Sequence, residues 1–218
     1  MILIKTISNA VLNKFDLYKF ITEKINLLGY DFSSSSYQVN SIDLAYKVCK
    51  NLEIQYLNFK EKKICGILYK GENCTTIGLN NNRSEKGKNF DCMHEIIHYW
   101  LHNDNVFYCD ENATDYFEWQ ANEGAAQFLV PYQNFIPKCH GIFRLFYNLY
   151  PKDIARKKTI EHLSYLYNVG EQVIEYRLEN LYSEIIQYKY TKTVATLNIK
   201  SLTRQNLNTK YSTIRFIN

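Results

Sequence analysis

The 218-residue sequence predicts an α+β fold, with one small antiparallel sheet among a larger number of helices. Three short runs rich in β-branched and aromatic residues lie close together in the first third of the chain, and turn residues bound them. The segments before and after these runs carry apolar residues at helical spacing. A hydrophobic content of 46% with 22% charged residues is typical of a chain that buries a core, and it excludes a disordered protein.

Caps, turns and apolar spacing place the predicted elements in chain order. Ser8 or Asn9 caps the first helix, which Gly29 ends, and Ser41 caps the second. The segment 70–73 is a hairpin turn between the last two strands, and polar loops are predicted at 80–89 and 103–112. The strands are Ile54–Phe59, Ile64–Tyr69 and Thr75–Leu79, and the later helices span about 90–102, 113–129 with Pro131 as a stop, 156–167 and 170–183.

The cellular setting is predicted from what the sequence lacks and from its charge. No run of about 18 apolar residues and no cleavable leader is present, so neither a membrane span nor export is expected. The six cysteines form no Cys-x-x-Cys pair, which favours free thiols in the reducing cytoplasm. Six basic residues and no acidic one lie between Gln187 and Asn218. Such a tail contacts nucleic acid or an acidic partner, or it is a solvated extension.

The segment His94-Glu95-Ile96-Ile97-His98 is an HExxH motif on a predicted helix. Residues four apart project from the same helix face, with Cβ atoms roughly 5–6 Å apart, so His94 and His98 can bind one Zn²⁺. Glu95 can then take a proton from a water on the metal and pass it to a leaving amine. The motif predicts a zinc-dependent peptidase, and the alternative is a helix with two ordinary buried histidines.

A catalytic zinc site needs a third protein ligand. His102 lies two helical turns from His94, about 12 Å along the axis, so it is not expected to bind the ion. It is predicted to be either a residue of the helix C-terminus favoured by the helix dipole or a group that supports the site. Glu118 is the preferred third ligand, because small residues on its helix face allow close approach to the first helix. Asn122 is one turn further along and can accept the second N–H of a ligating histidine. The other candidate ligands are Glu123, Glu111, Asp110 and Asp115.

Two longer motifs resemble the ImmA/IrrE family of bacterial and phage metallopeptidases. The family pattern is FxxxHExxHxxxH followed by ExxANxFAAxLLMP, and Phe90 to His102 and Glu118 to Pro131 match it. The later segment 163–178 is similar to the trailing helix pair of the family, so the resemblance covers about residues 41–182. Departures occur at scaffold positions, with Ile96-Ile97 for Leu-Gly, Gly124 for Phe, Phe128 for Leu, Val130 for Met and Gly170 for a capping Ser.

The resemblance implies a zincin-like catalytic core with His94, His98 and Glu118 as zinc ligands and Glu95 as general base and acid. It also implies a helix-turn-helix-like pair after the core, and a substrate that is a helix-turn-helix transcriptional repressor of a mobile element, prophage or stress response. Tyr99, His102 and His140 are conceivable oxyanion donors, and none is assigned.

The predicted domains are an N-terminal helical extension at 1–40, the catalytic domain at 41–150, the helix pair packed on it at 151–186 and the basic tail at 187–218. The leading expectation is a cytoplasmic zinc endopeptidase that acts on one protein partner. The alternative is a non-proteolytic regulatory module that captures a repressor or DNA. A closed structural zinc site is disfavoured, because such sites use Cys and His at all four positions and no Cys lies at ligand spacing from the motif.

Overall fold

The computed structural model of the chain describes residues 13–60, 64–102, 106–110 and 116–199. These residues form an α+β fold, as the sequence predicts, with four strands and eight helices in the described part. The strands are β1 Leu52–Leu57, β2 Ile64–Lys70, β3 Thr75–Asn80 and β4 Val106–Asp110. The helices are α1 Lys14–Leu27, α2 Ser41–Val48, α3 Glu85–Leu101, α4 Tyr116–Leu129, α5 Tyr132–Tyr147, α6 Lys152–Tyr167, α7 Glu171–Asn180 and α8 Tyr182–Thr191.

The sheet has the strand order β1-β3-β2-β4. The predicted hairpin is confirmed, because β2 and β3 pair antiparallel and the Gly71 N–H donates to the Cys74 carbonyl at 2.8 Å. The predicted antiparallel sheet is confirmed for β2, β3 and β4, whereas β1 runs parallel to β3. The composition of a strand does not encode its direction. Here β1 pairs with the edge of β3 that the hairpin leaves open, and β3 becomes a central, mostly buried strand.

The fourth strand lies where the sequence predicts a loop. β4 pairs antiparallel with β2, and the register shifts between Ile64 and Gly66, which marks a β-bulge in β2. Five residues between Asn- and Asp-rich segments are a weak strand signal on their own. Pairing with β2 satisfies the backbone groups on one edge of β4 and accounts for the strand.

Several helix ends differ from the predicted ones. Asn40, and not Ser41, caps α2, because its Oδ1 accepts from the backbone N–H groups of Ile42 and Asp43 at 3.0 and 3.3 Å. The HExxH helix begins at Glu85 and not near residue 90, with Ser84 as its cap. The predicted end of α1 at Gly29, which has a φ of +77°, is confirmed, whereas its predicted start lies outside the described residues.

The second half of the chain contains more helix than predicted. No helix is predicted at 132–147, and α5 contains Pro137, a residue that usually interrupts a helix. The turn after α6 is confirmed, with Asn168 in the left-handed region at a φ of 51°. The predicted helix 170–183 ends at Asn180 in the structure. A separate helix, α8, follows it and includes the first residues of the predicted basic tail. Residues 200–218 of that tail lie outside the described part.

The described residues form two units with separate cores. One unit contains Asn40–Ala125, in which the sheet, α2, α3 and most of α4 surround buried residues such as Leu68, Ile77 and Met93. The other combines Lys14–Val39 with the helices after Ala126. In this second unit the buried Arg177 donates to Tyr18 Oη and Gln127 Oε1 at 2.6 and 2.8 Å.

The units group the elements differently from the predicted domains, because α1 clusters with the later helices and α5 packs on α6 and α8. The functional boundaries at residues 40, 150 and 186 stay predictions. The five cysteines whose side chains are described are all free thiols, as expected. No helix in the described part is both long and apolar enough to cross a bilayer.

Candidate metal centre

Helix α3 brings the two histidines of the HExxH motif together. Ser84 caps the helix, and the apolar residues Met93, Ile96 and Ile97 are fully buried, while His94 and His98 lie one turn apart on the same face. Their side chains are buried, and the two Nε2 atoms are 2.9 Å apart. The predicted spacing of one helical turn is therefore realised with both Nε2 atoms at one point.

Helix α4 adds a carboxylate at that point. Glu118 Oε2 is 3.2 Å from His94 Nε2, and Glu118 Oε1 is 3.2 Å from His98 Nε2. The ligand atoms of these three buried residues lie within 4.8 Å of one another, and the group could hold a metal ion. Two imidazole nitrogens and one carboxylate oxygen are the donor set of many catalytic metal sites that keep a further position open.

Burial and the Glu118 carboxylate set the pKa values of the three side chains. Burial lowers the pKa of His98 to about 3 and so keeps that ring neutral. Burial acts in the same direction on His94, but the hydrogen bond and charge of Glu118 outweigh it and raise the pKa of His94 to about 8. Burial opposes ionisation of Glu118 as well, yet hydrogen bonds to both imidazoles hold its pKa well below the usual range. The ionised carboxylate attracts positive charge to this point.

The Nδ1 atoms of both rings have hydrogen-bond partners, and these lead directly or through His102 to amide oxygens of α4. His94 Nδ1 lies 3.0 Å from Asn122 Oδ1, which is the contact that the sequence predicts for Asn122. His98 Nδ1 lies 2.8 Å from His102 Nδ1, and His102 Nε2 lies 3.0 Å from Gln120 Oε1. Sequence reasoning missed Gln120, because residues two apart on a helix point in nearly opposite directions and no pattern links Gln120 to Glu118.

Glu95 is fully buried, and its carboxylate lies against the backbone of β2. A Cβ placed on Gly66 would be 3.2 Å from Glu95 Cδ and would collide with Glu95 Oε1. Gly66 also adjoins the β-bulge of β2, a feature that often re-aims backbone beside functional sites. The absence of a side chain at Gly66 therefore makes room for the Glu95 carboxylate, and sequence reasoning did not single out this glycine.

The remaining sequence candidates fall into three groups. Glu123 is buried on α4, but it does not belong to the His94, His98 and Glu118 group. Glu111 and Asp115 lie outside the described residues, and Asp110 is described only as part of β4. Among the oxyanion candidates, Tyr99 Oη accepts from the Lys50 N–H at 3.2 Å and His102 is buried behind His98, while His140 lies on α5.

A close contact between α3 and α4 explains two of the departures from the family pattern. A Cβ on Gly124 would lie 2.9 Å from Ile97 Cγ2, so Ile97 occupies the space that a side chain at position 124 would need. The family pattern has Gly at position 97 and Phe at position 124, the reverse arrangement of large and small. In this chain Ile97 therefore supplies the bulk between the two ligand-bearing helices, and Gly124 leaves room for it.

We expect Gly124→Phe alone to destabilise the protein by about 1–3 kcal/mol or more, because the ring must displace Ile97. Ile97→Gly alone should cost at least as much, because it leaves a cavity and adds a helix glycine. The double variant should lose less free energy of unfolding than the two single losses added together, by about 0.5–3 kcal/mol. Urea unfolding of the four proteins measures this coupling, and strictly additive losses would contradict the exchange.

A protein-family model described as the IrrE N-terminal-like domain matches residues 49–179, which is more than half of the chain. The chain belongs to this peptidase family. The predicted resemblance to the ImmA/IrrE metallopeptidases is confirmed, and membership makes the protein a metallopeptidase, an enzyme that hydrolyses peptide bonds. No curated protein and no solved structure matches the chain.

Proposed function

We propose that the protein is a zinc-dependent endopeptidase that cuts one specific protein partner in the cytoplasm, a helix-turn-helix transcriptional repressor of a mobile element, prophage or stress response. The observation that carries the enzymatic part is the convergence of His94, His98 and Glu118 beside Glu95. Family membership supports the peptidase activity. The repressor is the typical substrate implied by the ImmA/IrrE resemblance.

Zinc suits the three side chains in both chemistry and spacing. Bonds of about 2.0–2.1 Å around a tetrahedral zinc ion put ligand atoms about 3.3 Å apart. Here the two histidine Nε2 atoms are 2.9 Å apart, and each lies 3.2 Å from a different oxygen of Glu118, so small side-chain shifts would accommodate the ion. When bound, zinc would polarise the scissile carbonyl and lower the pKa of a coordinated water.

The protein side chains have separate roles in this proposal. His94, His98 and Glu118 hold the ion, and Asn122 and His102 orient the two imidazoles. Glu95 follows His94 on α3 and is the buried carboxylate next to the group. It accepts the proton of the attacking water and then delivers it to the leaving amine, which is general base and general acid catalysis by one group.

The experiment that tests the proposal uses the purified full-length chain, zinc and a helix-turn-helix repressor, which the proposal expects to be encoded beside its gene. Mass spectrometry should detect one or a few new repressor peptides, which appear only when zinc is present. A stable complex without new peptides would contradict the proposal and favour the non-proteolytic module. Retention of the chain on duplex DNA that weakens with salt would reveal direct nucleic-acid binding, which this proposal does not favour.

Gly66→Ala should lower the cleavage rate by about 10–100-fold while zinc binding stays intact, because the added methyl group displaces the Glu95 carboxylate. Gly78→Ala is the matched control in the neighbouring strand, where the new Cβ meets mainly the flexible end of Leu57 at 2.9 Å. Rates on the repressor and zinc content are compared for both variants. Equal rates for Gly66→Ala and wild type would contradict the positioning of Glu95 by β2.

A further inference from the structure

We infer that Gln120 is a positioning residue that acts through His102 to hold His98 with its Nε2 lone pair directed at the metal. This inference rests on the proposed zinc site and extends it by one residue that no sequence motif marks. It concerns the hydrogen-bond chain His98 Nδ1 to His102 Nδ1 to Gln120 Oε1, with distances of 2.8 and 3.0 Å.

The direction of the hydrogen bonds follows from the chemistry of the imidazole ring. A neutral histidine carries a proton on one ring nitrogen and a lone pair on the other. If His98 Nε2 binds a cation, His98 Nδ1 must carry the proton, and that N–H donates to His102 Nδ1. His102 must then carry its own proton on Nε2. Gln120 Oε1 lies 3.0 Å from that nitrogen and accepts from it.

The orientation of the Gln120 amide therefore selects the tautomers of both histidines. The Gln120 Nε2 group donates to Tyr116 Oη at 3.3 Å, and Oε1 lies on the side of His102. With the amide reversed, His102 would have to donate toward His98, whose Nε2 would then carry the proton and could not bind a metal. One amide group thus separates a binding arrangement from a non-binding one.

Burial makes this selection effective. His98, His102 and Gln120 are each at most 1% exposed, so bulk water does not compete for the hydrogen bonds. His94 is supported more directly, by Asn122 Oδ1 at 3.0 Å. Both ligand imidazoles consequently depend on amide oxygens of α4, the helix that also provides Glu118. On this helix, residue 118 would supply a ligand. Residues 120 and 122 would supply the final hydrogen-bond acceptors for His98 and His94.

The test compares the full chain with Gln120→Leu, which removes the acceptor, and with Gln120→Glu, whose carboxylate can only accept. We expect Gln120→Leu to weaken zinc binding by about 10–100-fold, as is typical for loss of a partner behind a ligand, and Gln120→Glu to restore most of it. In ¹⁵N spectra of the zinc-loaded wild type, His102 should carry its proton on Nε2. Thermal unfolding of the zinc-free proteins controls for misfolding.

Each outcome of this test decides one question. Wild-type zinc affinity in Gln120→Leu, or a proton on His102 Nδ1 in the zinc-loaded wild type, would overturn the inference about Gln120 alone. A wild-type chain that binds zinc but leaves the repressor uncut would overturn the proposed function alone, because the readouts here are affinity and tautomer. A wild-type chain that binds no zinc would overturn both.

Discussion

Glu95→Gln should abolish cleavage of the repressor while the protein retains zinc. The amide is nearly isosteric with the carboxylate but cannot accept the proton of the attacking water, so we expect a loss of about 10²–10⁴-fold in rate or more. Glu95 is fully buried and does not belong to the ligand group, so zinc content should not change. Timed digests and metal analysis of the same samples measure both quantities.

Glu85→Gln is the matched control for this experiment. Glu85 lies on the same helix, and its side chain is 84% exposed in an ion pair with Lys88. This variant should cleave at the wild-type rate. If Glu95→Gln also cleaves at the wild-type rate, Glu95 is not the general base and the proposed mechanism is wrong. If it loses zinc, Glu95 takes part in binding the ion.

Glu118→Gln should remove most of the zinc affinity and, with it, the activity. Glu118 contacts both histidines through its two oxygens at 3.2 Å and is the one anionic member of the group. A neutral amide oxygen lacks the charge of the carboxylate and binds zinc more weakly. The loss of zinc affinity should therefore exceed about 10–100-fold, the loss typical of removing a group that is hydrogen-bonded to a ligand. Competition with a zinc chelator gives the two dissociation constants.

Glu123→Gln on the same helix is the control for Glu118→Gln. Glu123 is equally buried and was an alternative ligand by sequence, but the structure leaves it out of the group. Zinc affinity should be near that of the wild type in this variant. A loss of zinc in Glu123→Gln together with normal binding in Glu118→Gln would show that the assigned third ligand is wrong.

Local sequence signals predicted those parts of the fold that short-range physics determines. The hairpin at residues 70–75 and the end of α1 at Gly29 depend on turn and cap chemistry within a few residues. The direction of β1 and the existence of β4 depend on pairing with distant strands, which local composition does not encode. α5 lies in a segment where no helix is predicted, and it contains Pro137, which local propensity disfavours inside a helix.

The site shows the same division. His94 and His98 share a helix face by spacing alone, and the structure places them together with Glu118 as helical periodicity and the family pattern predicted. Gly66 and Gln120 were missed, because each acts from a different element on a side chain that is distant in sequence. Contacts of this kind require the three-dimensional arrangement of β2, α3 and α4.

We propose that His94, His98 and Glu118 bind one zinc ion. Anomalous diffraction at the zinc edge, from crystals of the zinc-loaded chain, would locate that ion. We expect a single strong peak within about 2.0–2.2 Å of His94 Nε2, His98 Nε2 and a Glu118 oxygen. A peak on other residues, or no peak at this group in crystals soaked with zinc, would contradict it.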